Sequence, residues 1–153
     1  MSLQFVQNRV HGNYDVPASP TRRQPDTRPT VIVRQTRWVA QRLTEDQYLY
    51  TYGLASCTGF ALVDTTAKVF GLAHFDGSQN ANEINAMFHE MIHHGASAEN
   101  IRCVIAGTGY VNQTALGVYN SLQGSDYAAT PVTVYESQGE LAVFGDGTVC
   151  RFT

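Results

Sequence analysis

The sequence predicts an α/β protein of the α+β kind: one domain whose mostly antiparallel, β-sandwich-like sheet core is flanked by helices. Three observations predict it. The chain has 153 residues, 43% of them hydrophobic, which is the length of one domain and enough apolar material for a core without metal or disulfide staples. Short runs of β-branched and aromatic residues, bounded by turn-forming residues, recur along most of it. Only residues 81–95 carry clear helical periodicity.

Each element follows from its local pattern. "TVIVRQTRWVA" (30–40) reads as a first strand, Val31 and Val33 alternating against Ile32 and Arg34. "YLYTY" (48–52) reads as a second, with Tyr48, Tyr50 and Tyr52 on one face and Leu49 and Thr51 on the other. "CTGFALVD" and "KVFGLAHF", separated by "TTA", form a hairpin. In "ANEINAMFHEMIHHG", Ile84, Met87, Phe88, Met91 and Ile92 fall at helical spacing, with Asn80 and Glu83 spaced as an N-terminal cap and Gly95 as the stop. Beyond the helix, "IRCVIAG" (101–107), "PVTVYES" (131–137), "LAVFG" (141–145) and "TVCRF" (148–152) read as strands that close the sheet.

Residues 1–30 differ in composition: Arg9, Arg22, Arg23 and Arg28, with Pro17, Pro20, Pro25 and Pro29, mark an N-terminal arm ahead of a folded domain at 31–153. A formal charge of -3 with 10 Lys+Arg offers no basic field for a phosphate backbone, so nucleic acid is not expected as a partner. Cys57, Cys103 and Cys150 are too few and too widely spaced for a disulfide framework, which points to a reducing compartment. The chain shows no apolar run of bilayer length and no secretory leader pattern at its start, so no membrane is expected as a partner.

"FHEMIHHG" (88–95) contains His89-Glu90-x-x-His93, the helical spacing by which metalloproteases hold zinc. Helical geometry places His89 and His93 roughly 140° and 180° from the apolar stripe, facing away from the core. A catalytic zinc also needs a third protein ligand and a cavity, and no histidine follows His94. The expectation is therefore no metal, and a solvated helix face that matches the pattern by chance.

A tight turn centred between Thr65 and Thr66 would set Cys57 directly across from His74, on one face and about 5 Å apart at Cβ. An imidazole beside a thiol can take its proton and create a thiolate nucleophile. Ahead of the pair, "GLAS" (53–56) supplies small residues, so that backbone amides near Ala55, Ser56 and Cys57 can approach a developing oxyanion. Thr51 could orient the second nitrogen of His74. From spacing alone, a buried core thiol with a hydrogen-bonded histidine at a strand end is the favoured reading.

At these residues the chain resembles a family. "TYGLASC" followed by "TGFALVDTTAKVFGLAHF" is similar to the core of the chemoreceptor glutamine deamidases, the CheD family. In that core, a threonine, a Gly-Leu-Gly-Ser-Cys-like turn, an apolar strand ending in Asp and a Gly-x-Ala-His strand follow in order. Residue by residue, Thr51, Cys57 and His74 fall on the family's catalytic threonine, cysteine and histidine. The likeness continues through "INAMFHEMIHHGASAENIRCVIAGTG", fades over 108–130 and returns in "GDGTVCRF". It departs at Ala55, where the family has glycine, at "DGSQN" (76–80), where it has Met-Leu-Pro, and over 1–30, which has no counterpart.

The resemblance implies a CheD-like or deamidating-toxin fold, as in the cytotoxic necrotizing factors, with 31–153 as the catalytic domain. It implies hydrolysis of a glutamine side chain through a Cys57 thioester, without a cofactor, by a monomer acting on a protein that presents an accessible Gln. It further implies a bacterial cytoplasmic protein, or an effector delivered to a host or target cell by a route independent of a signal peptide. A small-molecule amidase or thiol esterase, and a catalytically silent binding domain of the same fold, are the alternatives.

Overall fold

Alternation along Tyr48–Tyr52 sends Leu49 and Thr51 to one face and Tyr48, Tyr50 and Tyr52 to the other, and this strand lies between two neighbours in one sheet. The computed structural model describes residues 21–22, 28–107, 113–136 and 139–151. Its strands are β1 (Thr21–Arg22), β2 (Val31–Ile32), β3 (Trp38–Arg42), β4 (Tyr48–Tyr52), β5 (Thr58–Asp64), β6 (Val69–Phe75), β7 (Arg102–Gly107), β8 (Val132–Glu136), β9 (Glu140–Phe144) and β10 (Val149–Arg151). Two helices are described, α1 (Ala81–His93) and α2 (Gln113–Gln123), with a 3-10 turn at Ala98–Asn100. One sheet has the order β1-β10-β9-β4-β2 and the other β3-β6-β5-β7-β8.

The layers are stacked as helices, second sheet, first sheet. Phe60, Leu62, Ala73 and Phe75 of the second sheet pack with Ile84, Met87, Phe88 and Met91 of α1 and Val118 and Leu122 of α2. On its other side Ala61, Val63, Phe70 and Leu72 meet Leu49, Leu141 and Val143 of the first sheet. The sandwich-like, helix-flanked α+β core expected from the sequence is present. Its central pairings are antiparallel, while β1 with β10, β2 with β4 and β7 with β8 are parallel pairs at sheet edges.

Helix α1 begins and ends where its sequence dictates. The Asn80 side chain accepts from the amides of Asn82 and Glu83, and Gly95, at φ 108, takes the left-handed conformation that a helix stop favours. Ile92 leaves the expected stripe and is exposed. Five residues past Met87, it has rotated beyond the buried arc.

Three expectations are corrected. Residues 30–40 do not form one strand: Thr36, at φ 67, and a turn closed by the Arg37 amide on the Arg34 carbonyl break it, and the chain crosses from the first sheet to the second. The hairpin turn takes four residues, 65–68, with Lys68 at φ 60 and the Asp64 carboxylate accepting from the Ala67 amide. Gly59 therefore opposes His74, and Cys57, just ahead of β5, lies diagonal to it. Helix α2, in the stretch where the resemblance fades, carried no expectation. Of the proposed arm, residues 1–20 and 23–27 lie outside the described residues, and Thr21–Arg22 pairs with the end of β10.

Candidate active site

Thr51, His74 and Cys57 lie at one end of the space between the sheets, beside two of the connections that cross it. Residues 33–37 carry the chain from β2 to β3, and 53–57 carry it from β4 to β5. Thr51 comes from the inner face of the first sheet and His74 from the facing side of the second. A shift of two residues in hairpin register preserves strand parity, so Cys57 remains on the same face as His74 despite the change of partner.

His74 is held on three of its four polar atoms. Its amide donates to the Arg37 carbonyl at 3.0 Å, and its carbonyl accepts from the Thr36 amide at 2.8 Å. Its Nδ1 lies 2.8 Å from Thr51 Oγ1. The Thr51 hydroxyl spends its hydrogen on the Val33 carbonyl at 2.6 Å, so toward His74 it acts as acceptor. Nδ1 of the neutral ring must then carry the proton, and Nε2 the lone pair. Nε2 is buried and has no hydrogen-bond partner.

The electrostatics favour a neutral pair. Burial lowers the His74 pKa below the ordinary histidine value, against the raising effect of the Asp76 carboxylate. Burial raises the Cys57 thiol, Asp76 adds to the rise, and a hydrogen bond with the Ser56 side chain opposes it. The resting site is thus a thiol and an imidazole rather than a thiolate and an imidazolium. No hydrogen bond joins them, and Cys57 as a residue is 6% exposed.

The crossover 53–57 forms the rim. Tyr52, Gly53, Ala55 and Ser56 are exposed around the buried Leu54 and Cys57. The Cys57 amide, expected to face an oxyanion, instead donates to the Leu54 carbonyl at 3.1 Å. It closes the turn that lifts Ala55 and Ser56 outward. The Ser56 amide has no partner among the described residues. Below the rim, Gly59 permits close packing: a Cβ there would lie 2.9 Å from Leu141 Cδ2 and 3.4 Å from Leu54 Cδ1.

Sequence reasoning placed Thr51 beside His74 but missed the Val33 carbonyl that sets the tautomer. A backbone acceptor leaves no signature in residue identity. Elsewhere, His89 and His93 are exposed, Glu90 pairs with His94 at 3.0 Å, and no three His, Cys, Asp or Glu side chains cluster as metal ligands among the described residues. A surface cleft of about 420 Å³ beside Glu99, Arg102, Asp126 and Tyr127 includes none of the triad. Among the described residues, no helix is long and apolar enough to cross a membrane.

No family model and no curated protein matches the chain. Among solved structures it is similar to the Bacillus licheniformis hypothetical protein YfiH, with 23% identity, 47% of this chain covered and a TM-score of 0.39. The match takes in 27% of that protein's chain.

Proposed function

We propose that this chain is a bacterial protein-glutamine deamidase, related in site and chemistry to the CheD family and the deamidating toxins. The observation that carries the reading is His74. Thr51 holds the proton on Nδ1, which leaves Nε2 a buried, unpartnered base on the face it shares with a cysteine.

In the reaction, Cys57 Sγ adds to the carboxamide carbon of a glutamine while Nε2 takes the thiol proton. The oxyanion is held by backbone amides of the rim at Ala55 and Ser56. The imidazolium returns its proton to the amide nitrogen, ammonia departs and a thioester remains. Water, deprotonated by Nε2, attacks the thioester, and Cys57 leaves to recover its proton. The sum is carboxamide plus water to carboxylic acid plus ammonia, and no cofactor is consumed. The substrate is a protein that presents an accessible glutamine, either a chemoreceptor or a target reached by delivery into another cell.

Mass spectrometry of candidate partner proteins, incubated with the chain and with Cys57→Ser, tests this. The wild-type chain is expected to release ammonia and leave the mass gain of a carboxamide converted to a carboxylate, while Cys57→Ser folds alike and does neither. Turnover by Cys57→Ser would remove the cysteine from the mechanism.

A raised thiol pKa and the missing Sγ to Nε2 hydrogen bond favour a second reading, a silent binding domain of the same fold. Absence of turnover on every glutamine-bearing protein and peptide, with Cys57 no more reactive toward iodoacetamide than a buried thiol, would favour it. Activity on free amides or thioesters without a folded protein substrate would point instead to a small-molecule amidase or esterase.

A further inference from the structure

We infer that Asp76 is a specificity-determining residue, a carboxylate at the mouth of this site that selects carboxamides carried beside a cationic group, such as a glutamine next to Lys or Arg. This rests on Cys57 and His74 being the reactive pair and adds the charge of the substrate.

The hairpin register brings Asp76 there. Gly59 opposes His74 and Thr58 opposes Phe75, and one further step sets Cys57 against Asp76. The carboxylate is fixed locally: its Oδ1 accepts from the Ser78 amide at 2.9 Å and the Ser78 hydroxyl at 2.6 Å. Those donors hold its pKa below the ordinary carboxylate value, so it is charged at neutrality. Among the described residues no Lys, Arg or His pairs with it.

Its field reaches both reacting groups and acts on them in a telling direction. It raises the Cys57 thiol and the His74 ring alike. A fixed negative charge opposes the thiolate and favours the imidazolium, so its two effects on proton transfer from Cys57 to His74 offset each other. A neutral carboxamide gains little from the charge. A substrate with a cation beside the carboxamide is attracted, and one with a flanking carboxylate is repelled.

The test reads charge selection at Cys57 without requiring deamidation. Cys103 and Cys150 are fully buried, so labelling is followed at Cys57 by peptide mapping. Aminoethyl methanethiosulfonate supplies a cation and sulfonatoethyl methanethiosulfonate an anion of the same reactive group. Relative to the ratio on free mercaptoethanol, the wild-type chain should prefer the cationic reagent by about tenfold, from unit charges a few ångströms apart in water. Asp76→Asn keeps an acceptor for Ser78 and removes only the charge, and it should bring the preference within about twofold. Raising salt should shrink the preference in the wild-type chain, which requires no variant. A wild-type ratio equal to that of free thiol, or a preference unchanged in Asp76→Asn, overturns the inference.

Peptides with glutamine flanked by Lys or by Glu provide the second arm. If the deamidase reading holds, kcat/KM should favour the Lys peptide by about tenfold in the wild-type chain and lose that bias in Asp76→Asn. If neither peptide releases ammonia while the reagent preference holds, deamidation of such peptides fails and the charge selection stands.

Discussion

The two faces of the β3-β6-β5-β7-β8 sheet are built for different ends. Toward the helices, Phe60, Leu62 and Phe75 meet Met87, Phe88 and Met91, and the packing is hydrocarbon on hydrocarbon. Toward the other sheet, β5 and β6 pack Ala61 and Leu72 with Leu141 of β9, and one end of that face holds His74 and Cys57 with Thr51 supplied by β4. The first face removes apolar area from water, which stabilises in proportion to area. The second buries an imidazole, which costs free energy unless its polar atoms find partners. Three of four do, through Arg37, Thr36 and Thr51, and the fourth, Nε2, is buried without a hydrogen-bond partner. The difference teaches that the packing that stabilises the fold and the site proposed to be reactive sit back to back on one sheet and can be perturbed separately.

The largest expected effect breaks the helix-covered face alone. Phe88 is fully buried and stacks on Tyr127 with ring centroids 4.3 Å apart. Phe88→Ala should cost about 3–5 kcal/mol of unfolding free energy, by lost burial and an unfilled cavity. Urea denaturation measures it, and catalytic activity per folded molecule should stay within about twofold, because the site lies across the sheet. A collapse of turnover in the folded fraction would show that the two faces are coupled.

Next comes a change confined to the other face. Thr51→Ala strands the Val33 carbonyl and the His74 Nδ1 proton, and frees the ring to rotate or change tautomer. Turnover should fall on the order of a hundredfold with little change in KM, since orientation of the base matters most in the transition state. Unfolding free energy should drop by only about 1–3 kcal/mol. Thr51→Ser keeps the hydroxyl and should restore most of the turnover. Equal losses from Ser and Ala would assign the residue to packing.

How much of this was legible in the sequence follows the same division. Strands β5 and β6 were, because unbroken apolar runs bounded by turn residues leave few alternatives for segments buried on both faces. So was α1, with its stripe and its Asn80 cap. The α2 stripe, Ala115, Val118, Tyr119 and Leu122, has the same helical spacing. It was hidden by Gly117, Asn120 and Ser121 between those positions. The break at 34–37 could not be read, since Thr36 is a β-branched residue in a conformation that usually marks glycine. At the site, the side chains were legible through strand alternation and the resemblance, and the partner supplied by backbone was not. The hairpin register was wrong by two, and Cys57 kept the face of His74 because two is the period of a strand.

The smallest effect is a pH dependence of stability that belongs to the reactive face alone. The folded-state pKa of His74 lies below the ordinary value because burial disfavours its charge. As pH falls through about 6.5, the unfolded chain binds a proton at this histidine that the folded chain does not. Its contribution is therefore fully present above that pH and is lost as the pH drops toward the lower folded value. Within that window the loss is at most about 1.4 kcal/mol per pH unit. Urea denaturation at stepped pH values should show this slope in the wild-type chain and a shallower one in His74→Gln, with carboxylates contributing equally to both. Phe88→Ala should lower the whole curve and leave the slope unchanged, because Tyr127, the titratable ring stacked on Phe88, has its pKa raised by burial and stays protonated across this window. Identical slopes in the wild-type chain and His74→Gln would mean that His74 protonates as readily folded as unfolded. The neutral Nε2 base on which the proposed chemistry depends would then be lost at mildly acidic pH.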